Sequence, residues 1–180
     1  MTQDIKTLSS KVVYQNKWMT LREDAIRRAS GAEGIYSVVD KPHFAIVIAV
    51  DNDAVYMVEQ FRYPIGERQL EFPQGAWEEN PEADPYALAA GELKEETGLS
   101  AAQWEYVGFQ YLAYGFCNQG YHIFLARELT QGEKNLDPEE EGLITHRIPL
   151  KELEQKIKRG DIKDATTCNA FGLARLHGLL

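Results

Sequence analysis

A chain of 180 residues, 44% hydrophobic and 26% charged, is long enough to bury one full hydrophobic core and has the composition of an ordinary globular protein. Its formal net charge of −9 argues against a surface that coats nucleic acid, since that requires clustered Lys and Arg, and means that an anionic substrate would need help from cations. Cys117 and Cys168 form no CxxC pair and stand at no zinc-ligand spacing to a histidine, and no stretch is long and apolar enough for a membrane span or a secretory leader; a cytoplasmic protein with free thiols is expected.

Residues 12–14, 19–22 and 35–40 alternate or are β-branched and are separated by the turn-like Gln15-Asn16-Lys17 and Ser30-Gly31-Ala32, which predicts a small N-terminal antiparallel sheet. Residues 44–50 are apolar throughout and face residues 54–58 across Asp51-Asn52-Asp53, the pattern of a hairpin whose first strand is buried on both faces. A helix is predicted over Pro85–Thr97. Asp84 can cap it, Pro85 suits its first position, Tyr86, Ala89, Ala90, Leu93 and Thr97 recur at helical spacing, and Gly98 can end it. Further strands are expected at 104–112, 121–127 and 143–148, and helices at Leu150–Arg159 and Ala165–Leu176. This order gives an α/β (α+β) sandwich with a mixed sheet, one unit over 1–40 and a second over 41–180.

On the Pro85–Thr97 helix, Glu92, Glu95 and Glu96 fall within an arc of roughly 100° beside the apolar stripe. Three carboxylates so placed repel one another, and a hard divalent cation such as Mg²⁺ removes the conflict. Considered as charges alone, they would more often be a solvated helix face.

The surrounding pattern changes that balance. Glu92-Leu93-Lys94-Glu95-Glu96-Thr97-Gly98-Leu99 resembles the second half of the Nudix box, Gx5Ex7REUxEExGU, and Leu70-Glu71-Phe72-Pro73-Gln74-Gly75 is similar to the strand and turn that lead into it. The weaker similarity over 11–174 is to the ADP-ribose pyrophosphatase and nucleotide-sugar branch of that family. Two departures stand out. The loop is two residues longer than the pattern, with six residues between Gly75 and Glu82 and eight from there to Gly91, and Gly91 itself replaces the arginine that orients a box glutamate. Extending a loop costs little, but losing that arginine removes support for the carboxylates unless Lys94 or Arg62 takes its part.

The resemblance implies a Nudix-type α/β/α sandwich and an enzyme that cleaves the pyrophosphate of a nucleoside diphosphate linked to another group, such as ADP-ribose or a nucleotide sugar. It implies Mg²⁺, or Mn²⁺, on Glu92, Glu95, Glu96 and the carbonyl of Gln74. Arg62 of Val58-Glu59-Gln60-Phe61-Arg62 would reach substrate phosphate, Trp18 would stack on the nucleobase, and Tyr114 could stack on a base or sugar. Tyr114-Gly115 stands where ADP-ribose-selective members carry a proline, which opens the substrate class to other ADP-linked compounds. One of Glu139, Glu140 and Glu141 would be the catalytic base, with Glu141 nearest the expected site and Glu140 next. A homodimer formed through the N-terminal sheet is implied, with no nucleic-acid or membrane partner. The alternative is a nucleotide-binding domain that hydrolyses weakly or not at all because of Gly91.

Overall fold

The computed structural model describes residues 4–180, so the first three residues of the expected N-terminal unit lie outside it. The chain opens with β1 (Ile5–Gln15), β2 (Thr20–Arg28) and β3 (Glu33–Asp40), an antiparallel sheet in that order. All eleven residues of β1 are exposed, including Val12, Val13 and Tyr14. That explains why the sequence predicts only its last part: β1 has no buried face to impose an alternation, and its pairing with β2 holds it.

The second sheet contains β4 (Phe44–Asp51), β5 (Ala54–Arg62), β6 (Glu67–Glu71), β7 (Gln74–Gly75), β8 (Leu99–Tyr111), β9 (Gly120–Gln131) and β10 (Ile144–Pro149). Its main order is β10-β5-β4-β9-β8, with β6 on β5 and β7 on β4. β4 and β9 run parallel while the other pairs are antiparallel, so the sheet is mixed as expected. β4 is its centre, with every residue from Phe44 to Val50 buried. Ile46, Ile48 and Val50 enter the core cluster that includes Leu153, Ala170, Phe171 and Ala174 of α2 (Leu150–Arg159) and α3 (Ala165–Leu176). Ala45, Val47 and Ala49 face Leu88, Ala89 and Leu93 of α1 (Pro85–Thr97). The small residues on that side let α1 lie close against the sheet.

All three helices have the predicted bounds. The Asp84 carboxylate accepts the Ala87 N–H at 3.0 Å, and Gly98 ends α1 in the left-handed region at φ 75°. Asp164 caps α3 by accepting the Thr167 N–H at 2.8 Å. No helix among the described residues is long and apolar enough to cross a membrane.

The two sheets meet where β3 joins the loop between β8 and β9. Val39 donates its N–H to Phe116 O at 2.8 Å, and Tyr36 OH donates to Gly115 O, also at 2.8 Å. At the far end of the first sheet, Lys17 forms a 2.8 Å ion pair with Glu139.

Candidate active site

A cleft of about 660 Å³ lies between α1, the loop that follows β7, the β1–β2 turn and a 3-10 turn at Pro138–Glu140. Glu92 and Glu95 of α1 line it, together with Lys17 and Trp18 of the β1–β2 turn and Asp137, Glu139 and Glu140 of the 3-10 turn, where Lys17 pairs with Glu139. Glu96 lies deeper and is fully buried. Its Oε2 accepts the Gln74 N–H at 3.0 Å, while Oε1 has no hydrogen-bond partner among the described residues. An orphaned carboxylate oxygen inside a protein is costly unless something else completes it.

Gly75 makes room for Glu92, because a Cβ there would overlap the Glu92 carboxylate. Among the described residues no three Asp, Glu, His or Cys side chains already meet on one point. The trio therefore shares one side of the helix with its carboxylates apart, as mutual repulsion favours. Burial, then Glu95 and Glu140, pushes the Glu92 carboxyl up to about 8. Burial and Asp137 push Glu95 up to about 7, and burial with Glu140 and Glu92 holds Glu96 well above the usual range. This is a cluster of carboxyl groups that resist ionising in one another's presence and that a divalent cation would allow to ionise together.

Arg62 lies beside this group. It forks onto Glu71, with Nε 2.8 Å from Oε1 and Nη2 2.6 Å from Oε2. Burial works against its charge, but Glu71, Glu96 and Asp164 hold its pKa above the ordinary value. Of the two residues considered as substitutes for the missing arginine, Arg62 therefore sits in the field of Glu96, while Lys94 is exposed on the solvent side of α1. The Gln74 side chain extends the pair by donating to Glu71 Oε2 at 2.6 Å and accepting from Thr166 Oγ1 at 2.8 Å, which ties the approach to α1 onto the start of α3. Glu71 was not singled out from sequence. The one available signal was a carboxylate between Leu70 and Phe72 in an otherwise apolar run.

Two expectations change. The order of the loop glutamates reverses: Glu140 is half-buried and lines the cleft, whereas Glu141 is exposed and does not. The cause is a capping box in which Glu140 folds back to accept the Asp137 N–H at 3.0 Å. Tyr114 is 84% exposed and does not line the cleft, because its loop is tied to β3 through Gly115 and Phe116. Gln74 meets Glu96 through its N–H, which leaves the expected role of its carbonyl unchanged. Trp18 does line the cleft, with the Lys17 ammonium 4.4 Å from the centroid of its ring.

Gly91 has a physical explanation. A Cβ there would overlap the edge of the Trp77 ring, so the indole occupies the space beside the helix that an arginine would need. In an open helix Gly91→Ala would stabilise by about 1 kcal/mol. Here it is expected to destabilise by roughly 1 kcal/mol through overpacking. In a Trp77→Ala background the sign should reverse, and urea denaturation of the double-mutant cycle measures this coupling.

Two family models match the chain. The nucleoside diphosphate sugar hydrolase N-terminal domain covers residues 5–39, and the NUDIX domain covers residues 40–168. An ADP-ribose pyrophosphatase of Mycobacterium tuberculosis is 32% identical over 163 residues, 88% of this chain and 77% of that protein. An ADP-ribose pyrophosphatase of Bacillus subtilis is 28% identical over 97% of this chain and 95% of its own length. A methanol dehydrogenase activator of Bacillus methanolicus is 30% identical over the same shares. The fold matches a crystal structure of an ADP compounds hydrolase at a TM-score of 0.85 and 21% identity, over 96% of this chain and 93% of that one. With the box carboxylates on one helix and a NUDIX match spanning most of its length, the chain belongs to the Nudix family. It is a hydrolase acting on the pyrophosphate bonds of nucleoside diphosphate-linked substrates. The reading of a binding domain without turnover is not favoured, since the NUDIX match and the two ADP-ribose pyrophosphatase relatives support hydrolysis and the three box glutamates remain.

Proposed function

We propose that the chain is a Mg²⁺-dependent pyrophosphohydrolase, with Mn²⁺ able to substitute, that converts ADP-ribose or a nucleotide sugar into a nucleoside monophosphate and a phosphorylated remainder. The observation that carries this reading is the pair of buried carboxylates Glu92 and Glu96, the latter with Oε1 unsatisfied among the described residues, at a cleft also lined by the Trp18 ring.

Glu92, Glu95, Glu96 and the carbonyl of Gln74 would hold the cation. When bound, it would offset charge on the pyrophosphate oxygens and make water more acidic. Glu140 is suited to take the proton from the attacking water: burial raises its pKa above the ordinary carboxylate value, which makes it a stronger base, and it lines the cleft with Glu92 and Glu95. Arg62, oriented by Glu71, keeps Nη1 for a phosphate oxygen. Trp18 offers its indole to the nucleobase, and Lys17 sets that ring beside the catalytic loop. Tyr114 receives no role within one chain.

The exposed Val12, Val13, Tyr14 and Ile35 of the N-terminal sheet support a homodimer built through residues 1–40, with 41–180 as the hydrolase unit. A monomer in sedimentation velocity at micromolar concentration would refute it. The unpaired Cys117 and Cys168 suit the cytoplasm.

The deciding experiment incubates the enzyme with ADP-ribose, ADP-glucose, GDP-mannose, dinucleoside polyphosphates, NADH and nucleoside triphosphates in Mg²⁺ or Mn²⁺, and resolves the products. Nucleoside monophosphate should appear together with a phosphorylated partner from ADP-ribose or an ADP-sugar. A preference for triphosphates would overturn the assignment.

A further inference from the structure

The face of α1 that carries the carboxylates continues past them. Pro85, Leu88, Glu92 and Glu95 lie within roughly 80° of one another around the helix, and this strip borders two cavities in succession. The second, of about 280 Å³, is lined by His43, His122, Asn80, Glu82 and Leu88, among others. Trp77 and Asn80 line both cavities and form the boundary between them. That boundary comes from the chain's own departures from the box pattern: Gly91 admits the Trp77 ring, and the lengthened loop ahead of Glu82 supplies Asn80.

We propose that this second cavity is the subsite for the distal, non-nucleotide part of the substrate and that it is built for a neutral sugar ring. The proposal rests on the pyrophosphohydrolase reading above. With pyrophosphate over Glu92 and Glu95, and the base towards Trp18, a distal group passing Trp77 enters the His43–His122 cavity. Its volume is at the lower limit for small-ligand pockets, about 300 Å³, which suits a single ring better than a second nucleotide. Its chemistry suits hydroxyl groups. The Trp77 indole offers an apolar face to ring C–H groups, while Asn80 and Glu82 can accept hydroxyl protons. His43 accepts the Gly120 N–H through Nδ1 at 2.9 Å, which leaves Nε2–H as a donor. His122 Nδ1 lies 3.2 Å from Tyr106 OH, which leaves its Nε2 for a ligand. Among the described residues no Lys or Arg lines the cavity, and burial together with His43 keeps the His122 pKa below its ordinary value, so a phosphorylated distal group finds no countercharge.

ADP-glucose and the P2-methyl ester of ADP share nucleoside and pyrophosphate and differ only distally. In His122→Ala and Glu82→Gln, kcat/KM for ADP-glucose should fall about tenfold or more while that for the methyl ester stays within about twofold. Equal losses on both substrates, or no loss on either, would overturn the subsite. Binding is read separately on the wild-type protein in EDTA, where turnover stops: ADP-glucose should shift the ¹H–¹⁵N imidazole signals of His43 and His122, and the methyl ester should not. Absence of that selective shift overturns the subsite. If the wild type hydrolyses neither compound but the selective shift appears, the function reading fails and the subsite stands.

Discussion

Glu96→Gln is expected to lower kcat/KM by about 10³-fold or more, the scale of losing a charge-bearing group from a metal-assisted site, while making the metal-free protein more stable. The two effects share one origin. Glu96 is fully buried, has one oxygen on the Gln74 N–H and the other on nothing, and faces the fields of Glu140, Glu92 and Glu71. A neutral amide can keep the Gln74 bond and relieve those repulsions. At pH 8 in EDTA the gain should be about 1–3 kcal/mol, or roughly 3–10 °C in Tm for a chain of this size. A variant that is less stable than wild type, or that keeps full activity at limiting Mg²⁺, would remove Glu96 from the site.

The second large effect is the pH dependence of the metal-free protein. The folded-state pKa of Glu92 is raised to about 8 and that of Glu95 to about 7, from an ordinary value of 4.5. Between the ordinary and raised values the folded state binds more protons than the unfolded chain, so stability must fall as pH rises. The contribution is fully present below about pH 4.5 and is lost as pH climbs through 7 and 8. For buried Glu92 alone the loss is at most about 5 kcal/mol, and relaxation of the helix end will reduce it. Melting in EDTA from pH 5 to pH 9 should therefore show a declining Tm. Mg²⁺ should reverse the trend, because its ligands must first lose those protons. Proton release on Mg²⁺ addition, followed by calorimetry in buffers of different ionisation enthalpy, should be larger at pH 6.5 than at pH 9. A flat melting profile in EDTA would mean that the carboxylates are solvated.

Most of the fold was legible in the sequence because its strongest signals are local. Asp84, Pro85 and Gly98 mark α1 to the residue, and the unbroken apolar run of β4 could only be a strand buried on both faces. β1 was foreshortened because an all-exposed strand carries no periodic signal. β6 and β7 are short and depend on pairing with β5 and β4. The candidate site divides in the same way. Glu92, Glu95 and Glu96 are readable from helical spacing, but the fork of Arg62 onto Glu71 joins two strands nine positions apart in sequence. Glu140 rather than Glu141 lines the cleft because a capped 3-10 turn folds it back onto Asp137, and the Asp137-Pro138-Glu139-Glu140 spacing that marks such a cap was the local signal for it. The contact of Trp77 with Gly91 spans a loop and a helix, and neither residue predicts it alone.

That last contact limits what mutation can do to the chain in a single step. Arginine at position 91 would have to displace an indole, and losing Trp77 with glycine still at 91 would leave a bare gap beside the helix. Either single change passes through a poorer protein, so the two positions form one inherited unit. A variant that carries arginine at position 91 must therefore also give up the tryptophan, and with it the wall between the two cavities.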